Sequence, residues 1–183
     1  YAGVLEVPDD KLFENPSWRN LADWKSILKP HYETASRMLG VAINPKLWPA
    51  DDILKEIADE MGQGHTFRPT YTGRFFGAEG VEVPDPYFGG EGPARRGCQH
   101  CGGCMVGCRN NGKNSLDKNY LYFAEKRGAK ILPESEVTDI RPLPSGQPDG
   151  ARYEVAYHSS TSWLLKPTRL VRARNVVLSA GVL

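Results

Sequence analysis

The chain has 183 residues, 40% of them hydrophobic and 25% charged, a balance that excludes intrinsic disorder and leaves room for one sizeable core or two small ones. No apolar run approaches the ~18 residues needed to cross a bilayer, and the chain opens at Tyr1 with no secretory leader pattern, as a piece of a longer protein would. The net charge of +1 conceals opposed halves, 9 Lys/Arg against 14 Asp/Glu in residues 1–90 and 14 against 8 in residues 91–183; the basic residues are scattered, which argues against a nucleic-acid footprint and for docking of the halves or an anionic cofactor.

In chain order, the first half reads as helices. Within LADWKSILKPHYETASRMLG, Leu21, Trp24, Leu28, Tyr32, Ala35 and Leu39 recur at three- and four-residue steps, the period of an amphipathic helix. Asp23 is its expected N-cap and Gly40 its terminator. Pro30 predicts a kink or a split into two short helices, because proline removes a backbone donor and crowds the preceding turn. A second helix over 50–61 follows Pro49, stacks Ile53, Leu54, Ile57 and Met61 on one side and stops at Gly62. From Gly62 to Gly97 the chain turns to Gly, Pro and aromatics, which predicts short strands and ordered loops; Tyr71, Phe75, Phe76, Tyr87 and Phe88 are too many rings for a free tether. A third helix is expected over SLDKNYLYFAEKRGA, with Ser115 as N-cap, Asp117 in the first turn and Gly128 as the stop. The runs KIL, EVTDIRPL, RYEVAYH, TRLVRA and NVVLSAG then predict about five strands.

All four cysteines, Cys98, Cys101, Cys104 and Cys108, fall within eleven residues. Their C-x2-C-x2-C-x3-C spacing is the run with which bacterial ferredoxins wrap an iron–sulfur cluster, and Gly97, Gly102, Gly103 and Gly107 clear bulk from the sulfurs, although Arg109 stands where a ferredoxin has proline. The same residues also allow a zinc site with His100 as a substitute ligand, local disulfides, or four thiols that simply pack. Local disulfides would fit a secreted scaffold better than a chain with only four cysteines, and the compartment is left unknown, with the cytoplasm favoured.

The blocks DWKSILKPHYETASRMLGV, VEVPDPYFGGEGPARRGC, CGGCMVGCRNNGKNSLDKNYLYFAEKRGAKILPESEVTDIRPL and VRARNVVLSAGVL, in that order and spacing, resemble the glucose-methanol-choline (GMC) family of FAD-dependent oxidoreductases, most closely its cholesterol-oxidase-like bacterial branch. The resemblance spans nearly the whole chain and implies an α/β (α+β) fragment, part of an FAD/NAD(P)-binding Rossmann-like domain plus part of a GMC substrate domain. It implies substrate-side helices and aromatic loops over 1–90, a Cys-rich loop over 91–113, and a helix and strands of the FAD-binding domain over 114–183. Two positions carry over: the main chain of Val137 would pair with the FAD adenine, and Ala180 and Gly181 would keep bulk away where a buried strand approaches the cofactor. The family's G-x-G-x-x-G turn and catalytic histidine match nothing here. No catalytic residue is therefore assigned, and His31, His65, His100 and His158 read as surface or structural histidines.

The implied activity is oxidation of an alcohol, with a steroid 3β-hydroxyl as candidate substrate, by hydride transfer to FAD, and the fragment alone is expected to be inactive. Phe75, Phe76, Tyr87 and Phe88 are expected to line an apolar substrate pocket. Expected partners are the small-molecule alcohol and an electron acceptor, either oxygen or a protein, with no nucleic acid and no transmembrane segment. Some sugar dehydrogenases of the broader family relay electrons through an iron–sulfur cluster, which keeps Cys98, Cys101, Cys104 and Cys108 as candidate ligands. Two rivals need no flavin: an iron–sulfur electron-transfer module centred on those cysteines, and a non-catalytic structural piece.

Overall fold

The computed structural model describes residues 3–181. The helices lie in the first of two units, Tyr1–Ala129, and the longest strands in the second, Lys130–Leu183. The result is a mixed α/β chain whose described sheets are small and antiparallel.

In the first unit a short helix α1 (Asp10–Phe13) precedes α2 (Trp24–Met38). Asp23 starts α2 as predicted, its Oδ1 accepting the Ser26 amide at 3.2 Å. Of the kink or split expected at Pro30, the split does not occur: one helix carries through it. Ser26 and Pro30 are both exposed, so water can take the Ser26 carbonyl that proline cannot serve. Gly40 then turns the chain at φ +53° into β1 (Val41–Ile43), which pairs with β2 (Tyr71–Gly73). Between them lies α3 (Pro49–Glu60), with proline in its first turn and Asp51 Oδ2 accepting the Trp48 amide at 2.8 Å.

The aromatic segment holds two-residue strands, β3 (Glu82–Val83) paired with β4 (Arg95–Arg96), and loops built on side chains. Asp85 gathers the loop between them, its carboxylate accepting the amides of Tyr87, Phe88, Gly90 and Gly92 at 2.9–3.0 Å. The third helix differs from its prediction. A 3-10 turn over Leu116–Lys118 is broken from α4 (Tyr120–Lys126) at Asn119. The buried Asn119 side chain accepts the Tyr120 amide at 2.6 Å and donates to the Ser115 carbonyl at 3.2 Å, so it competes with the backbone that would have joined the two turns. A relay of rings, Phe75–Tyr87, Tyr87–Phe88 and Phe88–Phe123 with centroids 6.0, 6.1 and 5.0 Å apart, ties the aromatic loops to α4.

The second unit is a sheet of order β5 (Ser135–Pro142), β6 (Tyr153–Ser159), β7 (Arg169–Ala173). Three strands form where about five were expected. KIL and NVVLSAG lie outside every strand, because neither meets a neighbouring strand among the described residues. Between Val137 and Asp139 the β5 register shifts by one residue, leaving Thr138 as a bulge.

Among the described residues the only buried hydrophobic residue is Ala151, whereas Thr72, Arg95, Asn114 and Asn119 are buried and polar. None of their helices is long and apolar enough to cross a membrane.

Candidate functional site

The polar centre of the first unit is organised by Arg95, which is 1% exposed. Its guanidinium donates from Nε to Asn114 Oδ1 at 2.9 Å, from Nη1 to Asn111 Oδ1 at 2.7 Å and from Nη2 to the Lys113 carbonyl at 2.7 Å. The two amides pass the linkage on, Asn114 Nδ2 to the Leu39 carbonyl and Asn111 Nδ2 to the Ala94 carbonyl, each at 2.9 Å. One cation therefore fixes the end of α2, the β4 region and the segment after the last cysteine. Burial pulls the Arg95 guanidinium below its ordinary pKa, opposed by the charges of Tyr87, Cys108 and Asp117.

The four cysteines surround one cavity of about 190 Å³, whose wall also includes Trp48 and Lys113. All four are free thiols; Cys101 is exposed and the other three are half-buried. The expected ligand set is thus brought to one place, but among the described residues no three His, Cys, Asp or Glu side chains are arranged to hold a metal ion. Nothing in this arrangement supports an iron–sulfur cluster or zinc at the four thiols. The sulfurs instead engage the loop itself: Cys108 Sγ accepts the Gly112 amide at 3.4 Å, and Cys101 Sγ accepts from Asn110 Nδ2 at 3.5 Å. Burial raises the Cys108 thiol pKa, but the amides of Lys113, Gly112 and Asn110 and the Arg95 charge outweigh it and hold the thiol below its ordinary value.

Val137 lies in the second unit, on β5. That strand pairs only with β6 among the described residues, so its other side is an open edge. The Ser160 amide donates to the Glu134 carbonyl at 2.8 Å, one step beyond the Ser135–Ser159 pair. Hydrogen-bonded and non-bonded pairs alternate along an antiparallel ladder, so Glu136–His158 is a bonded pair and Val137–Tyr157 is not. The Val137 N–H and C=O therefore point away from β6 to the open edge, one donor and one acceptor on a residue 54% exposed. FAD, implied by the resemblance, fits this observation: a peptide so oriented can meet the acceptor and donor of an adenine edge. Ala180 and Gly181 lie in the irregular run after β7, both exposed, with Gly181 at φ +92°.

The aromatic loop divides. Phe75, Phe76 and Tyr87 border a shallow groove of about 520 Å³ together with Ala42 and the cationic Arg37 and Arg74, whereas Phe88 turns to Phe123 of α4. Of the four histidines, His31 and His65 are exposed. His100 stacks on Phe76 with centroids 5.7 Å apart, and His158 Nε2 lies 3.1 Å from Glu136 Oε2. Sequence reasoning passed over Arg95 and Asp85. The signal that was available is the amide-rich stretch RNNGKN after the last cysteine, since Asn side chains in glycine-rich loops commonly satisfy backbone or buried donors.

A family model described as GMC oxidoreductase matches residues 93–183. A cholesterol oxidase of Acinetobacter baumannii is 50% identical over 188 residues, covering 100% of this chain and 34% of that protein. A cholesterol oxidase of Mycobacterium tuberculosis is 46% identical over 186 residues, covering 99% of this chain and 31% of that protein. The chain thus spans about a third of the length of the curated relatives it matches. No solved structure matches the chain.

Proposed function

The chain belongs to the GMC oxidoreductase family, and from that premise we propose that it works within a longer flavoprotein that oxidises an alcohol, with a steroid hydroxyl as the substrate. The observation that carries the cofactor is the outward-facing Val137 peptide on the open edge of β5. Its N–H and C=O bind the adenine, and the Thr138 bulge beside it sets the local twist of that edge. Ala180 and Gly181 add no bulk on the cofactor side. Residues 1–90 serve the substrate side, 91–113 join the two, and 114–183 contribute to the FAD-binding domain. Bound FAD supplies the hydride acceptor; this segment supplies placement. The steroid is favoured by the relatives, both cholesterol oxidases, and by the ring-walled groove at Phe75, Phe76 and Tyr87, which gives an apolar alcohol a surface to lie against.

The test uses the protein at its full natural length. It is expected to purify with a flavin absorbance that bleaches on addition of a 3β-hydroxysteroid, with peroxide release distinguishing oxygen from a protein as electron acceptor. Phe76→Asp replaces one ring of this groove by a charge and is expected to lower steroid kcat/KM by about tenfold or more, about 1.4 kcal/mol, with flavin retained. A protein without flavin would overturn the reading, and unchanged steroid turnover in the variant would remove the groove from it.

A further inference from the structure

The four thiols border one cavity, none is in a disulfide, and no metal-holding set exists among the described residues. Their environments differ. Cys101 is the exposed one, and solvent access alone would make it the first to react. Cys108 is half-buried, with its sulfur facing the Gly112 amide at 3.4 Å and two cations in the same neighbourhood, Lys113 on the cavity wall and Arg95 bound to the Lys113 carbonyl. Such surroundings stabilise a thiolate, the reactive form of cysteine.

Gly112 also identifies a partner for Cys108. A Cβ placed on Gly112 would stand 3.3 Å from the Cys98 Cα and 3.2 Å from the Arg96 carbonyl oxygen. One glycine thus touches both Cys98 and Cys108, and no side chain fits in its place without displacing the backbone. Cys98 is anchored, its amide donating to the Phe75 carbonyl at 2.8 Å while the Phe75 amide donates to the Gly112 carbonyl at the same distance. Cys108 follows Gly107, which sits at φ +102° with nothing within 4 Å of where a Cβ would be, so the segment carrying it has room to turn.

We propose that this loop is a peroxide-responsive dithiol in which Cys108 is oxidised first and Cys98 then closes a disulfide onto it. The Cys108 thiolate attacks a hydroperoxide; an S–O bond forms, the O–O bond breaks, sulfur loses two electrons to the peroxide, and hydroxide or the alkoxide leaves, giving a sulfenic acid. The Cys98 thiol then attacks that sulfur; an S–S bond forms, the S–O bond breaks, and the departing hydroxide takes the Cys98 proton as water. With hydrogen peroxide the sum is two thiols and one peroxide to one disulfide and two waters. A dithiol reductant then cleaves the disulfide by exchange, restoring both thiols and leaving as its own disulfide. The proposal is independent of whether the protein carries flavin.

The test treats the reduced full-length protein with equimolar hydrogen peroxide. Because all four cysteines fall on one tryptic peptide, 97–109, they are alkylated with light iodoacetamide before reduction and heavy iodoacetamide after it, and fragment ions assign each label. The expected result is heavy label on Cys98 and Cys108, light label on Cys101 and Cys104, and all-light label when dithiothreitol precedes alkylation. In Cys98→Ser, dimedone is expected to accumulate on Cys108 at least ~10 times faster than on Cys101. Should that variant not fold, a short dimedone pulse on the native protein reads the same order of reaction. Oxidation of Cys101 before Cys108, a disulfide that includes Cys101 or Cys104, or no thiol oxidised at equimolar peroxide would each overturn the proposal.

Discussion

Arg95 shows how one buried cation can be held without a carboxylate. Its bonds go to two Asn side-chain oxygens and one carbonyl, and it is the fork of the guanidinium that reaches all three. A lysine at this position has one nitrogen to place and leaves acceptors buried without donors. Arg95→Lys is expected to cost about 2–3 kcal/mol, seen as a lower urea midpoint with the slope unchanged; an unmoved midpoint would show that the fork is dispensable. Asp85 is the anionic counterpart. Burial raises its pKa, but the amides of Tyr87, Gly92, Phe88 and Gly90 outweigh burial and hold it below the ordinary value of 3.8. A carboxyl depressed in the folded state contributes stability that is present above its unfolded pKa and lost as pH falls through the lower folded value. Amide protection at those four residues should therefore be full above about pH 5 and fall away only below the ordinary value of 3.8, as pH passes through the lower folded value. Asp85→Asn should remove it already at pH 7, at a cost of about 1–2 kcal/mol given the partial solvent screening; hydrogen exchange at those amides checks both.

At the scale of elements, hydrogen-bond direction along β5 separates two neighbouring residues of similar appearance. Glu136 belongs to a bonded pair with His158, and Val137 does not to its partner Tyr157. Proline at 136 deletes a ladder bond and should abolish the sheet, whereas proline at 137 deletes only an outward donor, which an edge strand tolerates. In the full-length protein Val137→Pro is expected to keep native circular dichroism and to bind FAD about tenfold more weakly, close to 1.4 kcal/mol. Equal flavin affinity in the native protein and Val137→Pro would detach Val137 from the cofactor. The helices were legible from period and caps, as at Asp23 and Pro49, because those signals are local. At Pro30 the helix is not split because solvent can serve the freed carbonyl, and the break at Asn119 was not foreseen because a buried amide there overrides the local signal.

For the whole molecule, the apolar surface is the informative feature. Trp163 is 90% exposed and Val177 85%, in company with Leu164, Leu165 and Leu178. Chains of this length ordinarily bury most such side chains. With only about a third of the relatives' length spanned, the 183-residue chain produced alone is expected to bind a hydrophobic dye, to retain no flavin and to oxidise no steroid. The full-length protein is expected to show the reverse on all three measurements, and a flavin-loaded, active isolated chain would refute this.

Four ordered blocks of sequence were sufficient to determine the family, and spacing alone was sufficient to bring the cysteines around one cavity, since eleven residues of glycine-rich chain cannot carry four thiols far apart. Which groups the thiols meet there was decided only in three dimensions. Ligand spacing is a property of the chain, but convergence on a metal depends on which amides and cations claim each sulfur, and Gly112, Lys113 and Arg95 claim Cys108. Strand formation divides in the same way: β-branched runs mark where a strand can form, and only a neighbour with free backbone groups makes it one. NVVLSAG has the composition without the neighbour among the described residues, whereas β5 has both and an open edge besides.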